Sequence, residues 1–394
     1  MRQLSPSQIY ELSDFAYKVK DVKSDILKAR VALELPFVDA KSVQLLSATS
    51  GLGLRVSSGF GFMAKLNGGR STEIVIATRG TDGLADVATD LNSVPMRGPT
   101  GHDIHMGFGN TFKSYVEQLN GFIKQQNLGF RPTAVHCMGH SLGGALANLN
   151  AAACAELSMN PHLYTVAAPR VGMVPYAEHL SKKMNAQHVY RVANEADIVT
   201  MVPCFPFVHG PYQHGTHLLD GGMFAVNPLQ HSLERGYGVM RNSSWKQLQS
   251  LSQAKQQELE RAMQVAMTRD SGYLAQLARM PGAMYSFRLL KIINRAISDL
   301  LARLGAQSLL SVRNYGTGSF TVLDQLAEMI ARFAQASLKN AKEVMGILNL
   351  VMSYLGQRGQ GVADASMLTI RWVFGMLHRS VSTMAKMALS MVAR

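Results

Sequence analysis

The run Gly139-His140-Ser141-Leu142-Gly143 constrains this chain more than any other feature. A Gly-x-Ser-x-Gly match alone is weak. Here an apolar stretch ending at Met138 precedes it and the helix-forming Gly-Ala-Leu-Ala follows. That context predicts a nucleophile elbow, with the serine on a strained strand-to-helix turn. Glycines two residues to either side let strand and helix approach closely. The serine oxygen is then presented at the carboxyl end of a sheet, beside a helix N-terminus. The surrounding pattern agrees. Strand-like runs at 73–78, 133–138, 163–168 and 188–193 alternate with helical segments at Phe112–Gln126, Gly144–Leu157 and Val174–Met184. Such alternation predicts an α/β fold with a mostly parallel sheet. Glycines and serines between Ser47 and Gly69 predict turns between short strands. Ser5-Pro6-Ser7-Gln8 predicts a capping box that opens a helix with Ile9, Leu12, Phe15 and Ala16 on one face.

At 394 residues the chain is longer than one core usually serves, and its charge is uneven. Residues 241–394 carry 19 Lys and Arg against 8 Asp and Glu, whereas the first 240 carry 20 against 18. After Trp245 the strand-like runs stop. Leu248–Met267, Met284–Leu304, Val322–Leu355 and Met367–Val392 read as amphipathic helices. The expected division is an α/β-hydrolase domain over 1–245 and a basic, Met-rich helical module over 246–394. With 47% apolar and 16% charged residues, a disordered chain is excluded. No run of 18 apolar residues suggests an ordinary membrane-spanning helix. Cys137, Cys154 and Cys204 are too few for a disulfide framework. The N-terminal residues lack the apolar core of a secretory signal, so synthesis in the cytoplasm without a Sec signal is expected.

A serine nucleophile needs a base and an orienting acid, in the chain order Ser, Asp or Glu, His for this fold. Asp197 follows the strand-like run at 188–193, with Glu195 and Asp220 as rivals. The downstream histidines are His209, His214, His217, His231 and His378. Spacing alone does not choose among them.

Further motifs do. Over roughly residues 60–240 the sequence resembles the class 3, fungal-type lipase family of α/β hydrolases. Arg79-Gly80-Thr81 resembles the family's oxyanion-loop motif, and Asp86-Val-Ala-Thr-Asp90-Leu91 the segment after it, with Val87 in place of a tryptophan. Ile104-His105-Met-Gly107-Phe108, Gly139–Ala147 and Ala168-Pro169-Arg170-Val171-Gly172 follow in the family's order. Arg191-Val-Ala-Asn-Glu-Ala-Asp197 is similar to the segment bearing the triad acid. His231-Ser-Leu-Glu-Arg-Gly-Tyr237 is similar to the one bearing the catalytic histidine. The resemblance implies a Ser141–Asp197–His231 triad, with His217 as the rival base. It places the backbone N–H groups of Thr81 and Leu142 in the oxyanion hole. His140 is expected to be structural, its ring on the far side of the turn from the reacting groups. The segment Asp82–Val94 falls at the family's lid position, where Leu84, Val87 and Leu91 would form the apolar face of a short flap. No cofactor or metal is implied.

The resemblance stops near residue 245. Within 284–304, Arg288, Lys291, Arg295 and Arg303 interleave with leucines and isoleucines. Two readings stand: docking on an anionic membrane surface, or a bundle packed on the hydrolase with its basic groups solvated. Nucleic-acid binding finds no motif. The expected function is lipid-ester hydrolysis of phospholipid or acylglycerol at an interface. A non-catalytic membrane-binding protein on a hydrolase scaffold and a cytosolic neutral-lipid lipase are the alternatives. A lipase-like core with a basic helical appendage also resembles bacterial toxins delivered by type VI machinery. That resemblance implies an immunity protein or secretion-apparatus partner and export by a non-Sec route.

Overall fold

The computed structural model describes residues 3–20, 22–50, 56–68, 73–80, 95–126, 134–212, 216–221, 227–267, 279, 282–305, 321–357 and 362–392. Two helices, α1 (Pro6–Tyr17) and α2 (Ser24–Glu34), precede the strands β1 (Val38–Ser50), β2 (Val56–Leu66), β3 (Glu73–Thr78), β4 (Pro95–Arg97) and β5 (Asp103–His105). Then come α3 (Met106–Lys113), α4 (Val116–Gln126), β6 (Ala134–His140), α5 (Leu142–Glu156), β7 (Pro161–Val166), β8 (Gly172–Met173) and α6 (Val174–Lys183). The remaining strands are β9 (Val189–Asn194), β10 (Phe207–Val208) and β11 (Thr216–Leu219). Helices follow: α7 (Leu233–Tyr237), α8 (Trp245–Met267), α9 (Gly282–Gly305), α10 (Val322–Gln335), α11 (Leu338–Tyr354) and α12 (Met367–Val392).

Among the described residues the main sheet runs β1-β2-β3-β6-β7-β9-β11. From β3 to β11 the pairing is parallel; β1 and β2 form an antiparallel edge. β3, β6 and β7 are buried along their whole length. That burial is why they read as continuous apolar runs rather than as alternating ones. The capping box at the start of α1 forms as the sequence predicts: Ser5 Oγ accepts from Gln8 N–H and Gln8 Oε1 from Ser5 N–H.

Three expectations change. Over Ser47–Gly69 the sequence predicts turns between short strands; residues 51–55 lie outside the described residues, and the flanking strands β1 and β2 are long, at 13 and 11 residues. Gly59 and Gly61 mark close approach instead: a Cβ on Gly61 would lie 1.9 Å from the Ala77 carbonyl oxygen, and one on Gly59 2.3 Å from that of Val19. The helix expected over Val322–Leu355 is two, because Ser337 turns outward and caps a new helix by accepting from Asn340 N–H. The segment Phe112–Gln126 is divided likewise between α3 and α4, where the Ser114 hydroxyl donates to the Thr111 carbonyl.

The C-terminal helices pack on the sheet rather than standing apart from it. α8 covers the edge strand β11, an edge otherwise open to mispairing. Ser252 Oγ accepts from Leu218 N–H and donates to the Thr216 carbonyl, which also accepts from Gln256 Nε2. Leu289, Ile293, Ile297, Leu300 and Leu304 of α9 belong to the same buried apolar cluster as Leu142, Leu146 and Val202 of the α/β part. The basic groups of α9 are engaged within the chain: Arg288 with Glu258, Lys291 with Glu195, Arg295 with Asp299 and Arg303 with Glu343. For this helix the packed arrangement is the one observed. The exposed pairs among these contribute little to stability; the apolar face does the holding. Ile297→Ala, at a fully buried position against the α/β part, is therefore expected to lower the unfolding free energy by about 2–5 kcal/mol. Urea titration followed by tryptophan fluorescence measures it, and no loss would mean that α9 is not docked.

Candidate active site

The site begins with steric crowding at the end of β6. Ser141 has φ 61° and ψ −131°, a conformation that L-residues avoid. Packing holds it there. A Cβ on Gly143 would lie 2.1 Å from the Thr78 carbonyl oxygen, and one on Gly139 2.3 Å from the Gly143 carbonyl. Only glycine lets β3, β6 and α5 meet at this distance. Thr78 ties the corner by donating its hydroxyl to the carbonyls of Gly143 (2.7 Å) and Met138 (3.1 Å). α5 starts at Leu142, whose N–H, first in the helix, has no acceptor inside it. That donor is available to an oxyanion.

The sheet delivers the partners. Asp197 lies just past the carboxyl end of β9 and caps a short 3-10 turn over Ile198–Met201. Its carboxylate, 1% exposed, accepts from Val199 N–H (3.0 Å), from His231 Nδ1 (3.0 Å) and from the Tyr237 hydroxyl (2.7 Å). His231 closes a second 3-10 turn, Pro228–His231, and its Nε2 lies 2.8 Å from Ser141 Oγ. Ser141, His231 and Asp197 thus form one unbroken chain of hydrogen bonds, all buried. The tautomer follows: the hydrogen bond to Asp197 keeps the proton on Nδ1, which leaves Nε2 as the acceptor facing the serine.

The rivals lie elsewhere. Glu195 is held by Lys255 and Lys291, and Asp220 by Lys255. His217 is on β11, beside Tyr190 and Trp245, and burial lowers its pKa to about 4. His209 faces the Thr200 carbonyl. His214 lies outside the described residues. So do Thr81 and the lid positions Leu84, Val87 and Leu91. Gly80, just before Thr81, is in place: its Cβ would lie 3.0 Å from that of Ser141, so the expected oxyanion loop leaves β3 against the elbow.

Two contributors escaped the reading of the sequence. His140 is not on the far side of the turn. Its ring centroid is 5.2 Å from that of His231, and its Nε2 donates to the His231 carbonyl at 2.9 Å. Its Nδ1 accepts from the Tyr17 hydroxyl at 2.7 Å. Burial first, and the neighbouring His231 second, push its pKa down to about 3, so it stays neutral and keeps that donor tautomer. Tyr237 was seen only as the end of a motif. Its hydroxyl donates to Asp197 and accepts from Asn194 N–H at 3.0 Å. Burial, and then the Asp197 charge, hold it well above the ordinary tyrosine range and keep it protonated. The six-residue spacing from His231 was the available signal for Tyr237. For His140 no local signal existed, because its partners are Tyr17 and His231.

Serine, aspartate and histidine in this chain order, gathered at the carboxyl end of a parallel sheet, define a site of the α/β-hydrolase kind. Residues 75–207 match the family model described as Lipase (class 3). A lipase of Rhizomucor miehei is 32% identical over 145 residues, 34% of this chain and 39% of that protein. A secreted mono- and diacylglycerol lipase of Fusarium solani is 29% identical over 154 residues, 38% of this chain and 45% of that protein. A chloroplastic phospholipase A(1) of Arabidopsis thaliana is 29% identical over 153 residues, 33% of this chain and 34% of that protein. The chain thus spans less than half the length of these relatives. Among solved structures, a nonglycosylated Yarrowia lipolytica lipase superposes with TM-score 0.42 at 20% identity, over 56% of this chain and 80% of that one.

The depressed His140 pKa carries a pH signature. The unfolded chain binds a proton at this residue below about pH 6.5, and the folded protein only below about 3. Its contribution is therefore complete above about pH 6.5 and is lost as pH falls from there toward 3. His140→Gln keeps a side-chain donor but does not titrate. It is expected to flatten the decline in unfolding free energy over that window, as measured by denaturant titrations at pH 4, 5, 6 and 7. An unchanged slope would show that His140 is not held neutral.

Proposed function

We propose that this chain is a serine-dependent lipid-ester hydrolase acting on acylglycerols or phospholipids. One observation carries the reading: a buried Ser141–His231–Asp197 relay, with contacts of 2.8 Å and 3.0 Å, at a strained elbow inside a class 3 lipase segment. The names of its relatives, lipases for acylglycerols and a phospholipase A(1), support the substrate class.

Each step follows the serine-hydrolase template. Ser141 Oγ attacks the ester carbonyl carbon while His231 Nε2 takes the hydroxyl proton. Asp197 holds Nδ1–H in place and stabilises the imidazolium that forms. The negative charge passing to the carbonyl oxygen is met by the Leu142 N–H and, in this proposal, by that of Thr81. Losing one such donor typically costs about 2.7–4 kcal/mol of transition-state stabilisation. Collapse expels the alcohol, protonated by His231, and leaves an acyl-Ser141 ester. Water, deprotonated by His231, then releases the fatty acid and restores the serine. Leu84, Val87 and Leu91 complete the proposal as the apolar face of a flap over the site.

Ser141→Ala should abolish hydrolysis of a short-chain nitrophenyl ester while thermal unfolding stays cooperative. His231→Ala and Asp197→Asn should each lower kcat by at least about 10³-fold, the second by stabilising the wrong imidazole tautomer. Glu195→Gln should keep most of the activity, because Glu195 faces Lys255 and Lys291 rather than His231. A serine-directed fluorophosphonate should attach at Ser141. Wild-type rates in the Ser141→Ala protein would overturn the mechanism.

A further inference from the structure

A cleft of about 1980 Å³, counting its part open to solvent, separates the rim of the hydrolase from α8 and α9. Its walls are mixed, with Thr200, Gln253, Asn294 and Ser298 offering hydroxyls and amides. Of the charged groups that line it, Lys291 is matched by Glu195 and Arg295 by Asp299. Arg170 is different. It is 3% exposed, and all its contacts among the described residues are neutral. It donates to the Pro203 carbonyl and to Asn294 Oδ1, and its guanidinium lies 4.0 Å from the centre of the Phe205 ring. A guanidinium has five N–H groups, and these bonds use two.

A buried cation whose partners are all neutral is costly. Here the environment shows the cost. Burial pushes the Arg170 pKa down to about 10, with no carboxylate offsetting it. Arg191, also deeply buried, lines the same cleft and donates to the carbonyls of Gly210 and Pro211. The charges of both arginines reinforce burial in keeping His209, another lining residue, deprotonated. The local potential is therefore positive inside a partly enclosed space, where an anion gains most.

We propose that this cleft binds a phosphoryl group, with Arg170 as its anchoring cation. The planar fork of a guanidinium matches two phosphoryl oxygens at once, and the polar walls suit the remainder of a phosphorylated polyol or a phospholipid headgroup. The site is separate from the Ser141 relay, and its occupancy does not depend on the proposed hydrolysis.

The Ser141→Ala protein serves for the test, so that no turnover intervenes. Thermal unfolding is followed in sodium phosphate against sodium chloride of equal ionic strength, then with glycerol 3-phosphate, then with dihexanoyl phosphatidylglycerol below its micellar concentration. At several times the dissociation constant, a melting temperature about 2 °C above the chloride control is expected with at least one of the three probes. A larger shift at lower concentration with glycerol 3-phosphate identifies a soluble ligand; the reverse order identifies a lipid headgroup. Two variants locate the site. Arg170→Met should lose the shift. Asn294→Asp, nearly isosteric, places a carboxylate on Arg170 and supplies the missing anion internally. It should melt higher than its parent without phosphate and show no further rise with it. Asn294→Asp also keeps the test decisive should Arg170→Met fail to fold. No shift with any probe, or the full shift persisting in Asn294→Asp, overturns the proposal.

Discussion

The site depends on a contact between backbones. Where β6 meets α5, Gly139 and Gly143 press on each other and on the Thr78 carbonyl at distances that no side chain permits. This crowding holds Ser141 at positive φ and turns its hydroxyl out of the sheet. A strained serine of this kind persists only where its surroundings over-determine it. Two strands, β3 and β6, and the helix α5 do so here. β3 contributes twice, by wedging Thr78 into the corner and by sending Gly80 past the Ser141 side chain.

The base and acid are secured differently, by groups from distant parts of the chain. His231 sits on a short turn that could not hold a ring by itself. Asp197 accepts a hydrogen bond from its Nδ1–H, and His140, braced by Tyr17 of the N-terminal helix, donates to its carbonyl. Tyr237 loads Asp197 from the other side. Removing any one of these would leave a buried polar group short of a partner, which costs more than a hydrogen bond between exposed groups.

The C-terminal helices join this arrangement through packing. α12 lies against both 3-10 turns, the one that begins after Asp197 and the one that ends at His231. α8 and α9 each put a lysine on Glu195, two residues before Asp197. A module that reads in the sequence as a basic appendage therefore shares its core with the α/β part and abuts the segments carrying Asp197 and His231. The basic residues of α9, which suggested a membrane face, are met by acids, three of them from elsewhere in the chain and Asp299 from α9 itself.

What could be read from the sequence was local. The elbow, the strands at 73–78, 133–138, 163–168 and 188–193, and the Ser5–Gln8 capping box follow from short-range sterics and periodicity, which neighbouring residues determine. Ser141 was evident because strained turns demand glycines at fixed offsets. Asp197 and His231 became evident only through resemblance, since nothing local distinguishes His231 from His217. Tertiary structure decided the rest. It placed His140 against His231, gave Tyr237 its carboxylate, set Gly59 against the turn after α1 and Gly61 against the neighbouring strand β3, and engaged Arg288, Lys291, Arg295 and Arg303 with acids. These outcomes depend on which surfaces meet across tens or hundreds of residues. Composition and spacing hold no record of that, because burial and pairing belong to the folded chain and not to any segment of it.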